Sequence, residues 1–314
     1  MPTRKSPRKG SLQFWPRKRA DKFLPRVNWN YTDSSKNLRG FIGYKAGMAS
    51  AIVKDSTPDS MTKNKKIAVP ITIIECPPIK ILSIRFYKNG KVLTEIISEN
   101  LEKELKRKLK IPKKKPKKIE EIKDYDDVRV IIYSLVKKTN LKKTPDLVEV
   151  GIAGNIEEKL KFVKENLGKE ILISDVFENG QLIDLRGLTT GKGFQGPVKR
   201  FGITLMQHKS EKGVRRVGSI GPWHPARVTF RVPMAGQLGM FTRIGYNKKI
   251  IKIGKAEEIA ELKSIKNYGD LKTNYVLIYG SVQGPSKRQL ILTSPLRITK
   301  KQAKKNYEFL EVAK

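Results

Sequence analysis

The chain has 314 residues and contains 66 Lys and Arg against 30 Asp and Glu, which gives a formal net charge of +36. A compact domain with such a charge repels itself, so the composition indicates a polyanionic partner, and nucleic acid is the natural candidate because neutralised phosphates release counterions. The charge argues against a solitary enzyme acting on small neutral molecules and excludes an acidic, disordered solvating protein, while 38% apolar residues suffice for one or two cores.

The first segment, residues 1–26, carries nine Lys and Arg, one acid (Asp21), four prolines and the aromatic residues Phe14 and Trp15. Such a segment cannot bury a core, so we predict that it is disordered alone in water. Its prolines break any amphipathic helix, which argues against a transit peptide.

Short β segments follow. Phe41–Met48 and Ala51–Lys54 are predicted to form a pair of strands. The runs Ile79–Tyr87 and Lys91–Ile97 flank an Asn-Gly turn, which is typical of a β-hairpin. The single cysteine, Cys76, ends an apolar run and is interpreted as a small buried hydrophobe. A lone cysteine forms no internal disulfide and no cysteine-rich zinc site, which fits an intracellular protein.

Residues 103–118 hold ten Lys and Arg and one acid, which indicates either a solvated basic tract or a segment lying on phosphates. The clearest helix spans about 156–167, where Asn155 is the predicted N-cap and Gly168 ends the helix. Its predicted apolar stripe is Ile156, Leu160, Val163 and Leu167.

The remaining ordinary segments lie on both sides of a long glycine-rich stretch. Ile171–Phe177 and Gln181–Leu185 flank a second Asn-Gly turn and are predicted to form a hairpin. Tyr275–Tyr279 and Gln289–Thr293 are predicted to form a late strand pair, and Ala256–Lys263 a short helix.

The glycine-rich stretch, residues 187–254, holds 13 Lys and Arg, a single acid (Glu211) and 12 of the 24 glycines. Its apolar residues show little sustained period of 2 or 3.6. We interpret it as an extension that acquires its shape by contact with a partner, with glycines allowing close backbone approach.

Gly191–Gly196 matches G-x-G-x-x-G, the form of a dinucleotide-binding turn. The residues after it do not open an apolar helix, and Glu211 does not end a strand, so we favour a loop that contacts nucleic-acid phosphates through Lys192, Lys199 and Arg200. His208 and His224 are too few for a metal site, and the acids needed for a catalytic triad are missing nearby. No metal, cofactor or catalytic residue is predicted.

Trp223 and His224 lie between Pro222 and Pro225, so the turn is stiff on both sides. Arginines flank it, and an aromatic residue at the tip of a basic loop suits stacking on bases. The alternative is that Trp223 packs in a core.

Six stretches together resemble the family of the universal large-subunit ribosomal protein number three (the L3 family), in its archaeal/eukaryotic form. In family order they are Ser6–Ala20, Gly40–Met48, Thr190–Gly196 with Lys199–Gly202, Gly218–Ala226, Met234–Gly239 and Gly280–Pro285. The resemblance implies a mainly β fold with an α/β insertion: a six-stranded barrel of the translation-protein type with long basic N-terminal and internal extensions that thread into ribosomal RNA.

The resemblance also implies where the extensions go. In this family the tip tryptophan of the internal finger approaches the peptidyl-transferase region, which corresponds to Trp223 and His224 here, and the N-terminal extension, matched by Gly10–Arg19, runs toward the same neighbourhood. Members act early in subunit assembly and contact neighbouring ribosomal proteins. Glu211 stands where some eukaryotic members carry a modifiable histidine, so that modification is not carried over.

The predicted organisation has six parts. They are a basic N-terminal extension (1–38), the first part of the β-barrel (39–98), the basic tract and α/β insertion (99–170), a return to the barrel (171–186), the internal RNA-threading finger (187–254), and barrel completion with a C-terminal tail (255–314). Residues 1–26, 103–118 and 187–254 carry +29 of the +36 net charge.

We therefore predict a structural, non-enzymatic constituent of the large ribosomal subunit in the cytoplasm, with ribosomal RNA and neighbouring ribosomal proteins as partners and with no membrane or small-molecule substrate. Alternatives are an extra-ribosomal, chaperone-type nucleic-acid binder and an enzyme that uses the Gly191–Gly196 loop. The predicted RNA-binding residues are Arg8, Lys9, Trp15, Arg17, Lys18, Arg19, Lys192, Phe194, Lys199, Arg200, Arg215, Arg216, Trp223, His224, Arg227, Arg231 and Arg243.

Overall fold

The computed structural model describes residues 7–313 except 8, 12, 33–37, 113–118, 123 and 259–263. In these residues the fold is mainly β. The strands are β1 (Gly40–Asp55), β2 (Lys66–Glu75), β3 (Ile79–Lys88), β4 (Lys91–Ile97), β5 (Asp127–Ser134), β6 (Leu147–Gly151), β7 (Leu182–Leu188), β8 (Phe194–Gln195), β9 (Gly236–Gln237), β10 (Thr242–Gly254), β11 (Tyr275–Tyr279), β12 (Gln289–Thr293) and β13 (Tyr307–Ala313).

The helices are short. The α-helices are α1 (Ile156–Asn166), α2 (Pro197–Phe201) and α3 (Lys300–Ala303), and 3-10 turns cover Trp29–Tyr31, Lys103–Arg107, Ile119–Glu121, Val136–Thr139, Ile173–Asp175 and Ala256–Glu258. None of the described helices is long and apolar enough to span a membrane.

The chain divides into two compact units, which we name by their content. The arm unit comprises Met1–Phe23 and Leu188–Arg243, and the sheet unit comprises Leu24–Gly187 and Ile244–Lys314. The basic N-terminal segment and the glycine-rich internal segment therefore belong to one unit.

The larger sheet has seven strands in the order β12-β7-β10-β11-β2-β1-β13, and β1 also pairs with β12. Six of the strands thus form a closed cycle of pairs, and β13 extends the sheet beyond β1. The first half of β1 is buried throughout, whereas its second half alternates between buried and more exposed positions. This pattern is expected where the first half, which pairs within the cycle, is covered on both faces. The second half then has one face toward solvent.

The strand pair predicted at Phe41–Met48 and Ala51–Lys54 is wrong, because both runs belong to the single strand β1. The residues between them continue the pairing with β2, and a register shift between Lys45 and Gly47 bends the strand. One strand can therefore pair with β12 along its first half and with β13 along its second half.

The second sheet has four strands in the order β4-β3-β5-β6. The first predicted hairpin is confirmed: β3 and β4 pair antiparallel, and Asn89 and Gly90 have φ angles of +49° and +73°, as a tight hairpin turn requires. This sheet begins at Ile79, so residues 79–97 belong to it and not to the seven-stranded sheet.

The hairpin predicted around the second Asn-Gly turn is wrong. The Asp175 carboxylate accepts a hydrogen bond from the Leu172 backbone N–H at 2.9 Å, which closes a 3-10 turn where a strand was expected. The turn instead bonds to β10, because Asn179 Oδ1 accepts from the Ile253 N–H at 2.7 Å. β7 pairs with β12.

Strands β11 and β12 occur as predicted, but they do not pair with each other. β11 pairs with β10 and β2, and β12 pairs with β7 and β1. The connection between them is held on β1, because the buried Lys45 ammonium donates to the carbonyl oxygens of Val282 at 2.6 Å and Gly284 at 2.9 Å. These bonds direct the chain away from β11.

Helix α1 confirms the predicted helix. Glu158 accepts from the Asn155 N–H at 3.0 Å at its start. Within the predicted stripe Val163 is buried, whereas Ile156 is exposed. The predicted helix over Ala256–Lys263 is a 3-10 turn over Ala256–Glu258, and its remaining residues lie outside the described part of the chain. Cys76 is buried as predicted, and burial raises the pKa of its thiol.

Candidate nucleic-acid interface

A short ribbon organises the arm unit. Strands β8 and β9 pair antiparallel, and the Lys192 N–H donates to the Leu238 carbonyl at 2.9 Å while the Leu238 N–H donates to the Gly193 carbonyl at the same distance. The glycine-rich loop Gly191–Gly196 is thus one side of a β-ribbon and leads into the five-residue helix α2. This arrangement differs from the strand-loop-long helix of a dinucleotide site.

An aromatic cluster packs beside this ribbon. The Trp15 and Phe201 rings stack with centroids 5.9 Å apart, and Phe230 lies 5.9 Å from Trp15 at a tilt. The guanidinium of Arg17 lies 4.2 Å and that of Arg200 5.1 Å from the Phe201 ring centroid. The cluster joins segments of the arm unit that are far apart in sequence.

Hydrogen bonds fix both guanidinium groups of the cluster. Arg200 donates to the carbonyl oxygens of Gln237 and Met234, each at 3.0 Å, and Arg17 donates to the Ser11 carbonyl at 2.9 Å. Burial lowers the pKa of Arg200. These predicted RNA-binding side chains therefore hold the arm unit together.

Arg243 has a similar position at the end of the arm unit. Its guanidinium carbon lies 4.5 Å from the Phe14 ring centroid and 5.4 Å from that of Phe241. It also donates to the Thr242 carbonyl at 2.8 Å, and burial lowers its pKa. Arg243 thus links the N-terminal and internal segments of the unit.

The other predicted residues face solvent. Trp223 is 88% exposed and Phe194 is 77% exposed, so the alternative in which Trp223 packs in a core is wrong. Arg8 lies outside the described residues. The exposed members of the predicted set are Lys9, Lys18, Arg19, Lys192, Phe194, Lys199, Arg215, Arg216, Trp223, His224, Arg227 and Arg231.

The arm unit carries a large excess of positive charge. Residues 1–23 and 188–243 contain 18 Lys and Arg and two acids, Asp21 and Glu211. None of the exposed cations of the predicted set forms an ion pair with another described residue, and no described group of His, Cys, Asp or Glu could hold a metal ion. The surface is suited to bind phosphates and flat apolar rings together.

Two further cations in the same stretch, Lys209 and Lys212, are exposed and were not among the predicted residues. The exposed apolar residues near the Trp223 tip, including Ile220 and Val228, were not among them either. Glu211 is the single acid in residues 187–254, so a lysine in this stretch has few possible ion-pair partners nearby in the sequence. That signal would have identified both lysines as candidates.

The chain matches the family model described as ribosomal protein L3 over residues 1–312. It is 46% identical to the large ribosomal subunit protein uL3 of Methanocaldococcus jannaschii, over 93% of this chain and 91% of that protein. The protein of the same name from Methanococcoides burtonii is 41% identical and that from Archaeoglobus fulgidus 42% identical, each over 93% of this chain and 92% of the relative.

Proposed function

The chain belongs to the ribosomal protein L3 family, and from this premise we propose that it is a structural constituent of the large ribosomal subunit whose arm unit binds ribosomal RNA. The observation that carries the proposal is the set of twelve exposed side chains in a unit with 18 cationic and two acidic residues. Because the chain belongs to this family, it is a ribosomal protein and not an enzyme.

The bounds of the arm unit support an internal finger. The chain enters the unit at Leu188, next to the predicted start at 187, and leaves it after Arg243. The predicted end at 254 is instead the end of strand β10, most of which belongs to the sheet unit. The exposed Trp223 and its neighbour His224 supply flat surfaces that stack on unpaired bases, while the arginines on both sides fix phosphates. At the peptidyl-transferase region such a tip buttresses RNA and leaves the chemistry to the RNA.

The closed cycle of strand pairs supports a barrel. With β1 paired to β12, six strands have hydrogen-bonded neighbours on both sides, as we expect of the six-stranded barrel of the translation-protein type that the family resemblance implies. We propose that this barrel is a rigid platform that contacts neighbouring ribosomal proteins, and that it takes part early in assembly, in the cytoplasm. Depletion of the protein should then cause precursor particles to accumulate before full-size subunits form.

RNA affinity as a function of salt tests the proposal. Arg215→Ala with Arg216→Ala removes two exposed cations of the arm unit, and Lys88→Ala with Lys91→Ala removes two from the hairpin of β3 and β4 as a matched control. If both arginines contact phosphates, the slope of log affinity against log salt falls by about 1.4–1.8. Equal slopes for the two variants, or loss of the protein from salt-washed large subunits, would contradict ribosomal RNA binding through the arm unit.

A further inference from the structure

The sheet unit contains a groove of about 720 Å³ that the proposed finger does not use. Residues from four segments line it: Tyr31, Gly180, Gln181, Leu182, Lys249, Ser294, Pro295, Leu296, Ile298 and Ala303. The lining combines apolar side chains with four that carry polar atoms, those of Tyr31, Gln181, Lys249 and Ser294.

Two of these polar side chains, those of Lys249 and Ser294, are buried. Lys249 is 7% exposed, and its ammonium donates to the Ala303 carbonyl at 3.3 Å. Ser294 is 2% exposed, and its hydroxyl has no hydrogen-bond partner among the described residues. An ammonium has three N–H donors and a hydroxyl has one. The Ser294 oxygen is itself shielded from solvent. Because buried donors are normally satisfied, the two remaining N–H groups of Lys249 call for a ligand with acceptors.

The walls of the groove suit a flat ring. Tyr31 is 71% exposed, and Leu296 and Ile298 are exposed apolar residues on the same groove. An exposed aromatic side chain beside aliphatic ones is a surface on which an unpaired base stacks. Guanine carries two adjacent acceptors, O6 and N7, on one edge, and lysine is a common partner of that edge.

The rim of the groove is positively charged, which suits a polyanion such as RNA. Residues 294–307 contain no acid, and Arg297, Lys300, Lys301 and Lys304 are exposed there. A nucleotide in a strand has a phosphate on each side, so a base in the groove brings two negative charges to this rim.

We propose that the groove holds an unpaired nucleotide of large-subunit RNA, with the base against Tyr31 and Ile298, its acceptors on Lys249, and its phosphates near Arg297 and Lys300. The proposal rests on the RNA-binding function above and adds a second site, which recognises a base, to the arm unit, which contacts backbone. An unpaired guanine is the preferred occupant.

Crosslinking to the full chain tests the site. The probe is a single-stranded hexanucleotide with a central guanine beside a 4-thiouridine, and crosslinked residues are identified by mass spectrometry. We expect crosslinks at Tyr31 or Ile298 in addition to those near Trp223. Lys249→Met should reduce the groove crosslinks about tenfold while the Trp223 crosslinks remain. Lys88→Met is the control, and Tyr31→Ala tests the groove without replacing a buried lysine.

The outcomes separate the groove from the arm unit. Crosslinks near Trp223 with none in the groove would overturn the groove proposal and leave the arm unit's function standing. Crosslinks in the groove alone would support the groove and contradict RNA binding by the arm unit. Groove crosslinks that persist with the oligonucleotide annealed to its complement would refute recognition of an unpaired base. If an acidic, leucine-containing peptide protects the groove while the hexanucleotide does not, the occupant is a protein segment and the RNA proposal fails.

Discussion

At the scale of single residues, the arginines of the arm unit fall into two groups with different physical roles. Arg17 and Arg200 lie over the Phe201 ring and donate to backbone carbonyls, so their charge is used within the protein. Arg215 and Arg216 are exposed. Replacing a member of the first group removes packing as well as charge, whereas replacing a member of the second removes charge alone.

Trp223→Ala tests the tip of the proposed finger. The side chain is 88% exposed, so its removal should leave the thermal unfolding of the isolated protein unchanged. Stacking on a base contributes about 1–3 kcal/mol, so we expect slower translation or altered sensitivity to inhibitors of the peptidyl-transferase centre. Growth and translation assays in cells with the variant as sole copy measure this. Met61→Ala, an exposed apolar residue of the sheet unit, is the control, and normal translation by Trp223→Ala would count against the tip's role.

Gly239 is a position where the arm unit tolerates no side chain. Its φ is +79°, and a Cβ there would collide with the backbone carbonyl of Thr190 across the ribbon. Gly213 also has a positive φ, +92°, but a Cβ there meets nothing within 4 Å. We expect Gly213→Ala to cost about 1–2 kcal/mol of local conformational strain, and Gly239→Ala to cost more because the ribbon must open.

Amide exchange of the Lys192 and Leu238 N–H groups in the RNA-bound protein measures this difference. Both amides bond across the ribbon, so they should exchange faster in Gly239→Ala than in Gly213→Ala. Equal exchange in the two variants would show that the collision is relieved without opening the ribbon.

At the scale of elements, local signals predicted local structure. The Asn89-Gly90 hairpin and the helix after Asn155 depend on residues within a few positions of one another, and both were predicted correctly. The partners of β7, β11 and β12 could not be predicted this way, because each pairs with a strand distant in sequence. In the candidate site, the basic composition identified the exposed cations, but the packing of Trp15 on Phe201 depends on segments about 190 residues apart in sequence.

The loop between β1 and β2 depends on one carboxylate, and Asp55→Asn tests it. Asp55 is buried and accepts from the Thr57 N–H at 2.9 Å, the Thr62 hydroxyl at 2.6 Å and the Ser60 hydroxyl at 2.8 Å. These hydrogen bonds hold the pKa of Asp55 well below its usual range. Thr57 has the largest effect and Thr62 the next largest. The stabilisation is therefore present above the unfolded pKa, near 4, and is lost as pH falls toward the folded value.

Melting temperature at several pH values measures the contribution of Asp55. Wild type should lose more stability between pH 5 and pH 2 than Asp55→Asn, which should already have a lower melting temperature at pH 7. Asp59→Asn removes a charge from an exposed position of the same loop as the control. If the melting temperature falls equally steeply between pH 5 and pH 2 in wild type and Asp55→Asn, Asp55 is not the source of the acid sensitivity.

At the scale of the whole molecule, the two units differ in how charge is balanced. The sheet unit contains 28 of the 30 acids, and pairs such as Arg85 with Glu95 and Lys159 with Asp127 join its strands and helix. The arm unit has two acids for 18 cations, so self-repulsion opposes its compact form until phosphates neutralise it. We therefore expect arm-unit folding to be coupled to RNA binding.

Hydrogen exchange of the full chain with and without RNA tests this coupling. Residues 1–26 and much of 187–254 should exchange fast in RNA-free protein at low salt, because the unbalanced cations of the arm unit repel one another. Strands β1, β11 and β12 of the sheet unit should stay protected. Salt screens exposed charges, with a Debye length of about 10 Å at 0.1 M, so added salt should slow exchange in the arm unit, and ribosomal RNA should slow it further. Strong protection of the arm unit in RNA-free protein at low salt would mean that its apolar cluster around Trp15 and Phe201 outweighs the repulsion, and that the unit folds before it meets RNA.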